Sequence, residues 1–156
     1  SNFPTIRLSQ LAFLYNKHPN FFSRVIHAKT KDDLYELFDI STSKYWENHF
    51  MFGKIAITRK KRLTQSFINL LIINTIVPLQ FSYAKHHGKT IDDSIFRLIQ
   101  QIAPEKNTIV DQYHRLKPVS KTALHSQALI QLKTEYCNKN KCLQCEIGTT
   151  LLTRID

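Results

Sequence analysis

The sequence predicts an all-α fold: a single compact domain of six to eight helices over residues 1–156, packed around a buried apolar central helix and ending in a cysteine knuckle. Three observations predict it. Apolar residues recur at helical spacing along most of the chain. Only 3 residues are glycine, too few for the positive-φ turns of a β-sandwich. The stretch 63–83 is apolar on nearly every face, as in a helix covered on several sides. A chain of this length buries roughly 70% of the surface its unfolded form exposes, so no staple is required for folding. The scarcity of glycine also removes a Rossmann unit and a phosphate-cradling loop, and no Gly-x-Ser-x-Gly elbow is present.

The first helix is expected at Pro4-Thr5, where a missing backbone N–H is harmless. Ile6, Leu8, Leu11, Leu14 and Tyr15 form its apolar stripe, and His18-Pro19-Asn20 interrupts it. A short helix over 21–28 follows. The next opens on Thr30-x-x-Asp33, a capping box with Asp in place of the usual Glu. Residues 41–54, with Tyr45-Trp46 and His49-Phe50-Met51-Phe52, read as a helix ending near Gly53. Those aromatics beside cations are either core or platforms on which bases stack. The central element, 63–83, contains Pro78, which should kink or split it. Asn69 and Asn74 would be buried amides within it. Thr90-x-x-Asp93 then caps a helix that Pro104 ends. A short piece over 107–115 leads to Pro118, Ser120 caps a long helix toward Cys137, and 142–152 forms the last helix.

The formal net charge is +10, unevenly spread. Between Glu47 and Asp92 there is no acid, while Lys54, Arg59, Lys60, Lys61, Arg62, Lys85 and Lys89 all lie there. From Arg115 to Lys141 the single acid is Glu135. One-signed fields favour polyanions, so the expected partner is nucleic acid or an acidic protein surface, with Lys54, Arg59, Lys60, Lys61 and Arg62 as phosphate contacts. The bland alternative for the run 59–62 is a solvated loop. The longest apolar run, 67–77, is broken by two asparagines and closes at Pro78, short of the roughly 20 residues a bilayer requires. No secretory leader opens the sequence, and closely spaced thiols suit a reducing compartment, so a cytoplasmic location is expected.

All three cysteines, Cys137, Cys142 and Cys145, lie within nine residues around Lys139-Asn140-Lys141. That spacing suits one metal site better than a disulfide framework. With Cys142 and Cys145 on a first helical turn both sulfurs would face one way, next to a positive helix terminus. Zinc wants a fourth ligand. His125 would stand about 18 Å from Cys137 along the same helix, and His114 precedes the turn at Pro118; His18, His49, His86 and His87 remain. Zinc and an iron–sulfur cluster are both open, as are unligated thiols and redox use of Cys142-x-x-Cys145. The string Cys-x4-Cys-x2-Cys-x-Ile resembles the cluster loop of helix-hairpin-helix DNA glycosylases of the endonuclease III type. It departs from them in a shorter first spacing and in Leu151 at the fourth cysteine's place.

Several blocks together resemble an uncharacterised bacterial family, domain-of-unknown-function family 2851. They are Asn2-Phe3-Pro4-Thr5-Ile6-Arg7 with Gln10-Leu11-Ala12, then Tyr45-Trp46, Phe52-Gly53-Lys54 and Ile73-Asn74-Thr75-Ile76-Val77-Pro78, and finally 126–132 leading into Tyr136-Cys137. The resemblance spans nearly the whole chain and implies the carboxy-terminal half of a longer protein. The upstream part of such proteins resembles a carboxylate-bearing nuclease core. This chain lacks a persuasive carboxylate pair, and Asp92-Asp93 reads as helix N-terminal charge. The expected function is a nucleic-acid-binding accessory module with a structural metal site and no catalysis of its own; the alternative is a scaffold that docks protein.

Overall fold

The computed structural model describes residues 3–89 and 93–153, so the proposed cap at Thr90 and the residues Asn2 and Asp92 lie outside the described residues. The fold is all-α, with nine helices among the described residues and almost no strand. The chain divides into two compact units, 1–98 and 99–156.

The first unit holds α1 (Pro4–Lys17), α2 (Phe21–His27), α3 (Lys31–Leu37), α4 (Lys44–Glu47), a small hairpin of β1 (His49–Met51) and β2 (Lys54–Ile55), and α5 (Gln65–His86). Its core gathers Ile6, Leu14, Val25, Leu34 and Leu37 with Ile68, Ile72, Ile73 and Ile76 of α5. Helix α3 starts as its sequence requires. The Asp33 amide donates to Thr30 Oγ1 at 3.2 Å while Thr30 and Lys29 amides donate to Asp33 Oδ2 at 3.0 and 3.1 Å. The Thr30 hydroxyl and these amides hold the Asp33 carboxyl below the ordinary carboxylate range.

In the first unit the structure departs from expectation at four points. On α1 the buried positions are Ile6, Gln10 and Leu14, one turn apart, while Leu8, Leu11 and Tyr15 face outward. The phase is set by Gln10, whose Nε2 donates 2.9 Å to the Lys61 carbonyl, so a polar residue occupies the inward face. Residues 41–54 do not form one helix. After the four residues of α4 the chain turns into the hairpin, because Gly53 adopts φ +69° and closes it, a conformation L side chains resist.

Pro78 does not split the central helix either. A π turn over Ile72–Ile76 precedes it, with the Val77 amide reaching back to the Ile72 carbonyl. The wider turn absorbs the donor proline lacks, and the helix runs on to His86. By length and composition α5 is thus long enough to cross a membrane, which the run ending at Pro78 is not. One face is core; Leu70 and Phe81 face out. Lastly, Asn74 is exposed and Asn69 half-buried, bonded at 2.7 Å by the Tyr35 hydroxyl. The buried amide is Gln80, which donates at 2.8 Å to both the Val25 and Ala28 carbonyls and ties α5 to α2.

His18 follows α1 and is buried, with Nδ1 2.6 Å from Arg24 Nη1. A guanidinium only donates, so Nδ1 accepts and the ring proton rests on Nε2. Burial, then the charges of Arg24 and Lys17, lower its pKa, with the Leu37 carbonyl and Glu36 opposing. The unfolded chain therefore takes the proton at a higher pH than the folded one. Stability is full above about pH 6.5 and is lost as pH falls from there through the folded value. Urea midpoints measured from neutral to mildly acidic pH should fall for the wild type and stay flatter for His18→Gln.

The second unit holds the end of α6 (Asp93–Gln101), α7 (Thr108–Leu116), α8 (Ala123–Gln131, continued by a π turn over Leu132–Tyr136) and α9 (Glu146–Thr153). Thr122, not Ser120, caps α8: its hydroxyl accepts from the His125 amide, while Ser120 is buried and its amide donates to His114 Nε2 at 3.2 Å. Buried Ser126 accepts from the Glu105 amide and donates to the Ala123 carbonyl, joining the 103–107 loop to α8.

Candidate nucleic-acid interface and cysteine turn

The basic run 59–62 returns from the hairpin toward α5 and passes alongside α1. It does not present four equivalent cations. Lys61 turns inward, and its ammonium donates to the carbonyls of Trp46 and His49, the latter at 2.8 Å, while standing 3.9 Å over the Phe50 ring. Burial, then the Arg59 charge, holds this ammonium below the ordinary lysine range, with Glu47 acting the other way. Lys61 is therefore a pin between the loop and the hairpin.

Its neighbours face solvent. Arg59 sits with its guanidinium 5.5 Å from the Phe50 ring centre, and its amide donates to the Glu47 carbonyl at 3.0 Å. Lys60 and Lys54 are exposed. Arg62 is exposed and meets Asp39 at 3.7 Å, a loose surface pair worth about 0–1 kcal/mol. Arg59, Lys60, Lys61 and Arg62 line an open groove of about 250 Å³ together with Arg7, Gln10 and Thr64, with no carboxylate in its wall; Lys54 lies outside that wall, on β2 of the hairpin. Arg7 reaches it from α1, its guanidinium 3.9 Å over Phe67 and bonded at 2.9 Å to Gln10. Sequence reasoning missed Arg7 and Gln10, because only the fold brings residues some fifty positions apart to one wall. Beyond the groove the hairpin exposes Phe52, Ile55 and Ile57. The rings of Tyr45 and His49 stack at 4.0 Å, and Trp46 meets Phe52 edge-on at 5.0 Å.

In the second unit the cysteine turn begins as a helix end. Asn140 adopts φ +53°, the Asn140 amide donates to the Cys137 carbonyl at 3.2 Å, and the Lys141 amide to the Tyr136 carbonyl at 3.0 Å. These paired bonds are a Schellman stop, with asparagine in the place glycine usually takes. Cys142 then lies in a separate 3₁₀ turn and Cys145 in extended backbone ahead of α9, so the two do not share a first helical turn as expected. Cys137 Sγ lies 3.8 Å from the Tyr113 hydroxyl. Burial first, then Cys137 and Cys145, pushes the Tyr113 pKa up to about 12, which keeps this hydroxyl protonated beside the thiols. Cys137 and Cys142 are exposed and Cys145 half-buried, all free thiols. Among the described residues no three His, Cys, Asp or Glu side chains are gathered closely enough to hold an ion. His49 is bonded to Asn48 and Tyr45, and His86 and His87 pack on each other.

Gly148 fixes how the turn sits on α9. A Cβ there would lie 2.4 Å from the Cys142 carbonyl oxygen, and backbone does not yield as a flexible side chain does. Gly148→Ala should destabilise the second unit by about 1–3 kcal/mol of overpacking, and faster alkylation of Cys142 and Cys145 would report it.

Neither a curated protein sequence nor a solved structure matches the chain. A family model does, over residues 1–108, which takes in the whole first unit with its hairpin and basic groove. The block 126–137 and the cysteines lie beyond the matched residues, so the likeness is narrower than the sequence blocks implied. The groove and the match coincide in one unit, and on that match the chain belongs to the family described as protein of unknown function, DUF2851.

Proposed function

We propose that this chain is a nucleic-acid-binding accessory module of a larger, nuclease-like protein, gripping phosphates with Lys54, Arg59, Lys60 and Arg62 while Lys61 holds the loop in place. One observation carries the reading: exposed cations ring a recessed groove whose wall has no carboxylate. Phosphate oxygens are the natural guests of such a groove, since guanidinium forks match them bidentately. Cleavage chemistry is not assigned to this chain. A labelled strand should bind the whole chain at low salt, and replacing all four cations by alanine should abolish that binding. Retained affinity in that variant would refute the reading.

The metal reading is part of the proposal. Cys137, Cys142 and Cys145 are offered as ligands of zinc or an iron–sulfur cluster on the strength of their spacing alone. Holding an ion requires the turn to draw the thiols together and a further donor to join. Elemental analysis with a visible spectrum, on protein purified without oxygen, should give about one zinc or one cluster per chain; neither element would remove the cofactor. A cytoplasmic setting belongs to the same proposal, supported by the free thiols.

A second reading, a scaffold that docks the upstream part of the same protein, is favoured by α1, whose Leu8, Leu11 and Tyr15 are exposed at 65%, 48% and 57% along one side. Leu8→Lys with Leu11→Lys should break association with that part and leave strand binding intact.

A further inference from the structure

We infer that the basic groove and the hairpin act together as a reader of unpaired strands, with Phe52 as the ring on which a base stacks. The inference rests on the nucleic-acid reading above and specifies its substrate. Phe52 is 76% exposed at the hairpin turn, a large ring with little reason to face water for the sake of folding. It is braced from behind, because Trp46 meets it edge-on at 5.0 Å and Tyr45 lies 6.2 Å away. Two residues back along the chain Phe50 lines the groove, with Arg59 and Lys61 over its ring. β1 ends at Met51 and Phe52 follows it in the turn, so one short hairpin carries both the ring that lines the groove and the ring that faces solvent.

An exposed ring beside a cationic groove suits single strands for a physical reason. A base inside a duplex hides both faces in the stack, whereas an unpaired base offers one to any flat aromatic. The hairpin is also the wrong shape for sequence reading in a major groove, which takes a helix or a longer ribbon. The aliphatic neighbours Ile55 and Ile57 are exposed too, at 81% and 87%, so an anionic lipid surface is the competing guest of the same hairpin. Fixed aromatic geometry and a recessed, carboxylate-free groove favour the strand.

The test uses the whole chain, a single strand, a duplex of the same length, and vesicles of anionic phospholipid. Trp46 is the one tryptophan of this chain, so its emission reports directly on the Phe52 ring beside it. The single strand should bind tighter than the duplex and quench Trp46. Phe52→Leu should weaken single-strand binding about tenfold, the loss of one stacked base, and remove the quench without changing duplex affinity. Phe52→Tyr should keep both. Phe52→Leu binding the single strand as well as wild type, or losing both ligands equally, would overturn the stacking role while leaving the groove reading in place. Binding to vesicles that survives Phe52→Leu, with no preference between strand and duplex, would overturn it in favour of a lipid surface. If Arg59→Ala with Lys60→Ala leaves affinity for both strand and duplex unchanged, the groove reading itself fails.

Discussion

Lys61→Met is expected to be the most damaging single substitution in the first unit, lowering its stability by about 2–3 kcal/mol. The aliphatic stem survives in methionine, so the loss isolates the ammonium. That ammonium donates to the carbonyls of Trp46 and His49 and stands over Phe50, and the Lys61 carbonyl receives Gln10 from α1. Without it, the Trp46 carbonyl of α4 and the His49 carbonyl of the hairpin lose their charged donor, and a cation–π contact goes with them. The hairpin should loosen before the helices do. Equilibrium unfolding in urea should show the shift in midpoint, and hydrogen exchange should show it concentrated at residues 46–61. Lys60→Met, one position earlier and exposed, should change the midpoint little.

Reversing Arg59 and Lys60 to glutamate should reduce affinity for a single strand by roughly tenfold to a hundredfold at low salt. Each phosphate contact releases counterions, so two lost contacts also flatten the salt dependence by about 1.4 in log–log slope, 0.7 for each contact on a single strand. Neither side chain belongs to the core, and folding should be preserved. Lys106→Glu, exposed in the second unit, changes the net charge similarly per residue and should leave affinity nearly as it was. The contrast separates a placed groove from a general attraction between a chain of charge +10 and a polyanion.

Legibility in the sequence followed the range of the interactions involved. The capping box at Thr30 and Asp33 spans four residues and its bonds form as the residue types require. The inward face of α1 could not be phased from hydrophobicity, because the partner of Gln10 is a carbonyl 51 residues away. The hairpin strands, three and two residues long, are too short to show alternation, and the fold there hangs on the turn at Gly53. A proline in a helical pattern announces a disturbance but not its form; the π turn ahead of Pro78 depends on the buried isoleucines staying in register with the core. The same limit governs the candidate site. Composition exposed the acid-free stretch, yet the division between Lys61, pointing in, and Arg59, Lys60 and Arg62, pointing out, is decided by the carbonyls of Trp46 in α4 and His49 in the hairpin. Cysteine spacing was visible, whereas the break between Cys142 and Cys145 arises from the separate short turn ahead of α9.

The measurement that bears most directly on the groove is the salt dependence of single-strand binding by the unmodified chain. With four exposed cations engaged, at about 0.7 each, a log–log plot of affinity against salt concentration should fall with a slope of about −3. An affinity indifferent to salt, or no binding at the lowest salt, would contradict a phosphate-gripping groove.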